Sequence, residues 1–174
     1  ATWTRGLAWV MTGMEEQMEY LVTRSDEELD PLGGRDEIAS VARRAACATC
    51  DFYIHHTPTD GIPYWDTGAP GLAELVDWRN APAESGRTYT QAGLTVLKTL
   101  LDQPYLSTDP AHQGLILHSV YHRPNGWDHV PRGRKILCGE SSMWGDYHAR
   151  EAALYVQRLI DGGEYLTFFR GAEA

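Results

Sequence analysis

The chain has 174 residues, 43% of them hydrophobic, which is enough for one domain with a core of its own and too apolar for a disordered segment. Asp and Glu number 24 against 15 Lys and Arg, and the formal charge of −9 argues against a nucleic-acid backbone as partner. No apolar run is long enough to span a bilayer, so no membrane partner is expected. A small anionic ligand remains compatible, because one positioned Arg can grip a carboxylate inside an acidic protein.

The sequence opens Ala1-Thr2-Trp3, with no Met and no signal-type segment. Trp3, Arg5 and Trp9 follow at once, whereas chain ends are commonly loose and polar. The expectation is therefore that residues precede this sequence, with a cytoplasmic location. Three cysteines, Cys47, Cys50 and Cys138, are too few and too odd for a disulfide framework. Cys47 and Cys50 have redox-motif spacing but fall inside a helical stretch with no strand before it. They read as small packing residues.

Residues 3 to 23 read as a helix, with Leu7, Val10, Met11, Met14, Met18, Leu21 and Val22 at helical spacing. Residues 26 to 34 read as an acidic loop holding Pro31 and two glycines. A second helix is predicted from about Asp36 to His55, with an Ala-rich apolar side. Residues 57 to 71 hold three prolines and three glycines, which excludes helix there. That loop also carries Tyr64, Trp65 and Asp66, so it is a candidate ligand wall.

A third helix is predicted from about Thr88 to Gln103. Residues 115 to 121 alternate weakly between Gly114 and Pro124 and read as a short strand. A Pro/Gly loop with Trp127 and Asp128 follows, over 123 to 139. The last helix is predicted from about Ser142 to Asp161, with Ser141 or Ser142 as its cap and Gly162-Gly163 as its stop. The fold class is therefore all-α, read as a single domain over residues 1 to 174. Antiparallel helix pairs with aromatic loops at one end suit a toroid or bundle.

The sharpest segment is Trp3-Thr4-Arg5-Gly6-Leu7-Ala8-Trp9. Arg5 and Trp9 are four apart and share a helix face. Gly6 admits close approach by a ligand or another backbone. Trp rings stack on sugar rings, and a guanidinium grips a uronic carboxylate with two hydrogen bonds. The structural alternative is a core helix start with a salt-bridged Arg. The second segment, 139 to 148, brings hydroxyls, Trp144, Asp146, Tyr147 and His148 to a helix entrance whose free N–H groups suit an anion or a sugar hydroxyl. The alternative there is capping plus core aromatics.

W-x-R-G-x-x-W at a helix start, then D-G-I-P-Y-W-D, then G-D-Y-H, in that order, resembles the unsaturated glucuronyl hydrolases and their glycoside hydrolase relatives. The likeness runs from Trp3 to about Arg158. It implies an (α/α)6 toroid with the substrate pocket at one mouth. It implies removal of a terminal 4,5-unsaturated uronic acid from oligosaccharides. In that reaction an Asp protonates the C4=C5 double bond, water adds at C5, and the hemiketal breaks down. No metal or other cofactor is implied.

Trp3, Arg5 and Trp9 match the family's pocket positions for the unsaturated ring and its carboxylate, and Tyr147 matches a late pocket position. Three departures stand out. Leu7 replaces the family's common Gln. The family's catalytic aspartates lie before the W-x-R-G segment. The Ser/Ala-rich helix after D-G-I-P-Y-W-D is replaced by residues 78 to 86. Roughly four or five long helices cannot close a twelve-helix ring. The chain therefore reads as an incomplete, C-terminal portion of such a toroid. Its partner would be the N-terminal half or a second copy, since a half-ring leaves apolar faces exposed.

The expected substrate-binding set is Trp3, Arg5, Trp9, Trp65, Asp66, His118, Trp144 and Tyr147. The catalytic acid is unassigned within the chain. Asp146 is a candidate if Trp144 and Tyr147 desolvate it; the alternative is a structural charge at a helix N-terminus. His118 and His122 have the spacing of a helical metal pair, but no third ligand has clear spacing, so no metal is expected. Asp60 reads as a turn residue beside Gly61. Two further functions stay open: a non-catalytic sugar-binding domain derived from this fold, and an unsaturated rhamnogalacturonyl hydrolase.

Overall fold

The computed structural model describes residues 2–68, 89–121, 125–134 and 139–169. Cys138, His122 and the segment 78 to 86 lie outside them. All regular elements among the described residues are helical, in keeping with the all-α class: α1 Thr4–Val22, α2 Asp26–Leu29, a 3-10 turn Asp30–Leu32, α3 Arg35–His56, α4 Tyr89–Leu100 and α5 Met143–Ile160. None of these helices is long and apolar enough to cross a membrane. The chain divides into two compact units. One comprises Ala1–Thr59, Pro63–Gly86 and Leu166–Ala174; the other comprises Asp60–Ile62 and Arg87–Tyr165.

In the first unit α1 packs along α3 as a helical hairpin. Leu7 and Leu21 of α1, Leu29 of α2, and Ala42 and Ala46 of α3 are buried. The two alanines lie one turn apart on α3, and small side chains at a helix contact let the axes approach closely. Leu7 and Leu21 are thereby accounted for near the two ends of α1, while Val10 and Val22 of the same apolar series stay exposed.

The acidic segment after α1 is not the loop its Pro and Gly content suggests. Ser25 accepts the Glu28 backbone N–H, and the Glu28 carboxylate accepts the Ser25 N–H, so a complete capping box starts α2. Asp26, Glu27 and Glu28 place negative charge on the positive end of that helix. Pro31 falls at the start of the 3-10 turn, where no intrahelical N–H is needed. Gly33, at φ +104°, then ends it in the left-handed region.

Arg35 ties this corner together. Its guanidinium donates to the backbone carbonyls of Leu21 and Arg24 at the C-terminal end of α1. It also pairs with the Asp26 carboxylate at 2.8 Å. One cation thus adds hydrogen bonds to carbonyls at and just beyond the negative end of one helix and holds the start of the next.

In the second unit α4 contacts α5, and Tyr105 and Ile116 are the buried hydrophobic residues. The strand expected over 115 to 121 is reduced to an isolated antiparallel bridge between Leu106 and Ile116. Two causes are visible. His118 adopts φ +64°, which ends extended pairing directly after Leu117. The Leu115 and Ile116 N–H groups are taken by the Asp146 carboxylate rather than by a second strand.

Among the described residues no side chain reaches full burial, while Met143 is 81% and Ile160 74% exposed at the two ends of α5.

Two tests follow from this packing. Arg35→Ala removes two hydrogen bonds to backbone carbonyls and the pair with Asp26, and is expected to cost about 1–2 kcal/mol in denaturant unfolding; an unchanged midpoint would contradict the bracing role. Burial pushes the Cys50 thiol up, and the negative charges of Glu15, Cys47 and Asp51 add to it. Since the thiolate is the reactive form, Cys50 should alkylate more slowly than a free thiol at neutral pH and keep accelerating in alkaline solution. Alkylation at the free-thiol rate at neutral pH would count against that burial.

Candidate functional site

In the first unit the structure joins two motifs that lie sixty residues apart in sequence. Trp3 and Asp66 form an isolated antiparallel bridge. The Thr4 N–H donates to the Trp65 carbonyl at 3.0 Å, and the Thr67 N–H donates to the Thr2 carbonyl at 3.1 Å. The Thr4 hydroxyl donates to the Tyr64 carbonyl, and the Thr2 N–H donates to the Thr67 hydroxyl. Thr4 itself is buried. No side chain caps α1 at Trp3. The loop carbonyl of Trp65 takes that place and satisfies one of the orphan N–H groups of the helix start.

This joint gathers Trp3, Arg5, Trp65 and Asp66 at the N-terminus of α1. The Arg5 guanidinium lies over the Trp3 ring, 5.0 Å from its centroid. That contact spreads a delocalised cation over an indole face and holds it there. Gly6 serves the same geometry: a Cβ at this position would sit 3.0 Å from Trp3 Cε3. The close neighbour the sequence leaves room for is therefore the Trp3 indole. Trp9, one turn beyond Arg5, is 58% exposed. Asp66 folds one carboxylate oxygen back on the Gly68 N–H at 2.7 Å, which fixes the turn after Trp65. An aromatic-backed cation at a helix N-terminus is suited to a carboxylate ligand.

In the second unit the candidates are His118, Trp144, Asp146 and Tyr147. Asp146 accepts the Leu115 and Ile116 N–H groups, both at 2.9 Å, one on each carboxylate oxygen. Its position in the first turn of α5, behind the Ser142 cap, completes a structural arrangement. This geometry favours the bracing reading of Asp146 over the general-acid one. Gly114 lies against the same corner: a Cβ there would fall 1.6 Å from Ser141 Oγ. His112 links the corner to Gly139, its Nε2 lying 3.1 Å from the Gly139 carbonyl.

His118 is exposed, and its Nδ1 accepts the Gly139 N–H at 2.9 Å. A backbone N–H can only donate, so the neutral ring carries its proton on Nε2. The ring edge meets Tyr105, whose hydroxyl donates to Asp60 Oδ2 at 2.9 Å. The other Asp60 oxygen accepts the Ile62 N–H, the turn role expected for it. Tyr147 is 56% exposed on α5, with its hydroxyl 3.4 Å from Glu151 and its ring against His148. Trp144 stacks at a tilt on Tyr121. His122, the second member of the metal-like pair, lies outside the described residues, and no metal-competent group of three ligands occurs among them.

No protein-family model matches the chain. No solved structure matches it. Curated proteins do. The chain is 29% identical over 174 residues to the unsaturated glucuronyl hydrolase of Formosa agariphila, a match covering 92% of this chain and 38% of that protein. It is 25% identical over 182 residues to the unsaturated glucuronyl hydrolase of Bacillus sp. strain GL1, covering 95% and 42%. It is 23% identical over 171 residues to the unsaturated chondroitin disaccharide hydrolase of Streptococcus agalactiae serotype III, covering 88% and 37%. The likeness carried by the motifs thus extends over nearly the whole sequence. The chain spans about two fifths of the length of these relatives.

Two substitutions separate bracing from chemistry. Gly6→Ala gains helix propensity, worth up to about 1 kcal/mol, yet crowds the Trp3 ring. The expected result is an unfolding midpoint held or raised while Trp3 fluorescence shifts; unaltered fluorescence would show that the ring is not seated there. Asp146→Ala leaves two backbone N–H groups without their acceptor and is expected to cost about 2–3 kcal/mol. Unchanged stability would remove the bracing role.

Proposed function

We propose that this chain is the C-terminal portion of an (α/α)6 glycoside hydrolase of the unsaturated glucuronyl type. In this reading Arg5, held over Trp3, grips the carboxylate of a terminal 4,5-unsaturated uronic acid. The carrying observation is the joint between residues 2–4 and 64–67. It brings together, at one helix N-terminus, two of the three motifs that resemble this family. The curated relatives, named for unsaturated glucuronyl and chondroitin disaccharide hydrolysis, support the same substrate class.

Trp3 and Trp9 supply stacking surfaces for the sugar ring, and Trp65 and Asp66 set the wall beside them. His118, Trp144 and Tyr147, in the second unit, are assigned to substrate binding as well. Asp146 is assigned to bracing, because both of its oxygens accept backbone N–H groups. The aspartate that protonates C4=C5 is assigned to the part of the relatives' length that this chain does not span. Water then adds at C5, and the hemiketal breaks down with release of the sugar. The protein's contribution is to orient the ring and fix the carboxylate, which positions the double bond for protonation.

The test follows the loss of unsaturated-uronate absorbance, with an unsaturated disaccharide and the longest natural chain that contains these residues. Parent protein should consume the signal. Arg5→Ala should lower kcat/KM about a hundredfold, the scale of one lost charge-assisted carboxylate pair. A complete, folded protein that leaves the absorbance unchanged would favour a non-catalytic sugar-binding domain instead. Faster turnover of an unsaturated galacturonyl disaccharide than of a glucuronyl one would favour the rhamnogalacturonyl alternative.

A further inference from the structure

Among the described residues His118 is the one non-glycine with a left-handed backbone, at φ +64°. That conformation costs free energy and persists where the surroundings over-determine it. Contacts within the second unit do so here. The Leu117 N–H donates to the Tyr105 carbonyl at 2.7 Å, directly before the left-handed residue. The Tyr105 ring stands across the His118 imidazole, with ring centres 5.9 Å apart and planes at 83°. The Gly139 N–H donates to His118 Nδ1 at 2.9 Å. Tyr105 thus reaches this site twice, once through its backbone and once through its ring.

Tyr105 is itself held. It is only 3% exposed, and a hydroxyl at such depth needs a partner. That partner is Asp60 Oδ2, at 2.9 Å and forty-five residues away in sequence. Asp60 is pinned in turn, because its Oδ1 accepts the Ile62 N–H at 3.0 Å. The turn sits close on α4: Gly61 takes φ +80°, and a Cβ there would fall 3.0 Å from Val96 Cγ2. A phenylalanine would fill the core as well as Tyr105 does. The hydrogen bond to a carboxylate does something more, since it fixes the depth and rotation of the ring. The contacts run from the Asp60 carboxylate through the Tyr105 hydroxyl and ring to an exposed imidazole.

We propose that Tyr105, anchored by Asp60, is a positioning residue that holds the His118 imidazole in the orientation in which it meets the saccharide. The Gly139 N–H selects the tautomer, so the ring proton lies on Nε2. Tyr105 selects the plane of the ring, and with it the direction of the Nε2–H. A hydrogen bond to a sugar hydroxyl weakens steeply with angle, so a ring free to tilt would lose affinity with the fold intact. The proposal rests on the assignment of His118 to substrate binding made above.

The experiment is a double-mutant cycle on the longest natural chain that contains these residues, read as affinity for an unsaturated chondroitin disaccharide by calorimetry. His118→Gln should weaken binding about tenfold, the scale of one lost hydrogen bond. Tyr105→Phe keeps the buried ring and removes only the hydroxyl; it should weaken binding about fivefold in the parent and not at all in the His118→Gln background. Asp60→Asn keeps an oxygen for the Ile62 N–H and weakens the acceptor for Tyr105. It should fall between parent and Tyr105→Phe, and it carries the same cycle if Tyr105→Phe does not fold. Arg35→Ala, in the first unit, loses stability away from these contacts and should bind as the parent does. Equal losses from Tyr105→Phe in both backgrounds would show a general structural role and overturn the proposal. So would a loss from His118→Gln with none from Tyr105→Phe, and the assignment of His118 to the substrate would then stand. Parent affinity in His118→Gln sinks that assignment and the proposal together, and a parent chain that binds no disaccharide sinks the hydrolase reading with them.

Discussion

The feature on which the first unit depends is the backbone joint between residues 2–4 and 64–67. The N-terminal end of α1 has no side-chain cap, and its Thr4 N–H is satisfied by the Trp65 carbonyl. An unpaired N–H in so buried a place would be costly, so the loop is held to the helix by the helix's own need for an acceptor. That need decides where Trp65 and Asp66 lie, and it puts them beside Trp3 and Arg5. Gly6 keeps the neighbouring turn clear of the indole. The candidate carboxylate grip is thus a by-product of capping a helix with a distant loop.

The second unit uses the same logic with a side chain as acceptor. Asp146, in the first turn of α5, holds the Leu115 and Ile116 N–H groups. The chain beyond cannot remain a strand, and His118 turns into the left-handed region, where Gly139 holds its Nδ1. A carboxylate that looks available for acid chemistry in the sequence is spent on shaping the segment that leads to Tyr121.

Much of this was legible in the sequence, and the failures have physical causes. The long helices appear close to their expected bounds because an apolar period of 3.6 survives any tertiary setting: residues 3 to 23 became Thr4–Val22, and the helix predicted from Asp36 to His55 became Arg35–His56. Ser142 emerged as the cap of α5, one of two serines open to that role. The segment after α1 was read as a loop because Pro31, Gly33 and Gly34 dominated it. The reciprocal pair of Ser25 and Glu28 was the missed signal, a capping box visible in spacing alone. The strand over 115 to 121 failed because its N–H partners came from a carboxylate thirty residues away, which no local pattern records. The pairing of Trp3 with Asp66 was equally hidden, since it runs through backbone groups that every residue possesses.

The central claim is that Arg5, seated over Trp3, recognises a uronic carboxylate. The most direct measurement is calorimetric titration of the longest natural chain with an unsaturated disaccharide and with its uronate methyl ester, repeated for Arg5→Ala. The ester keeps the ring, the double bond and the linkage, and removes only the charge. The account predicts that the parent binds the acid at least about tenfold tighter than the ester, and that Arg5→Ala binds the two alike. Equal affinity of the parent for acid and ester would contradict it.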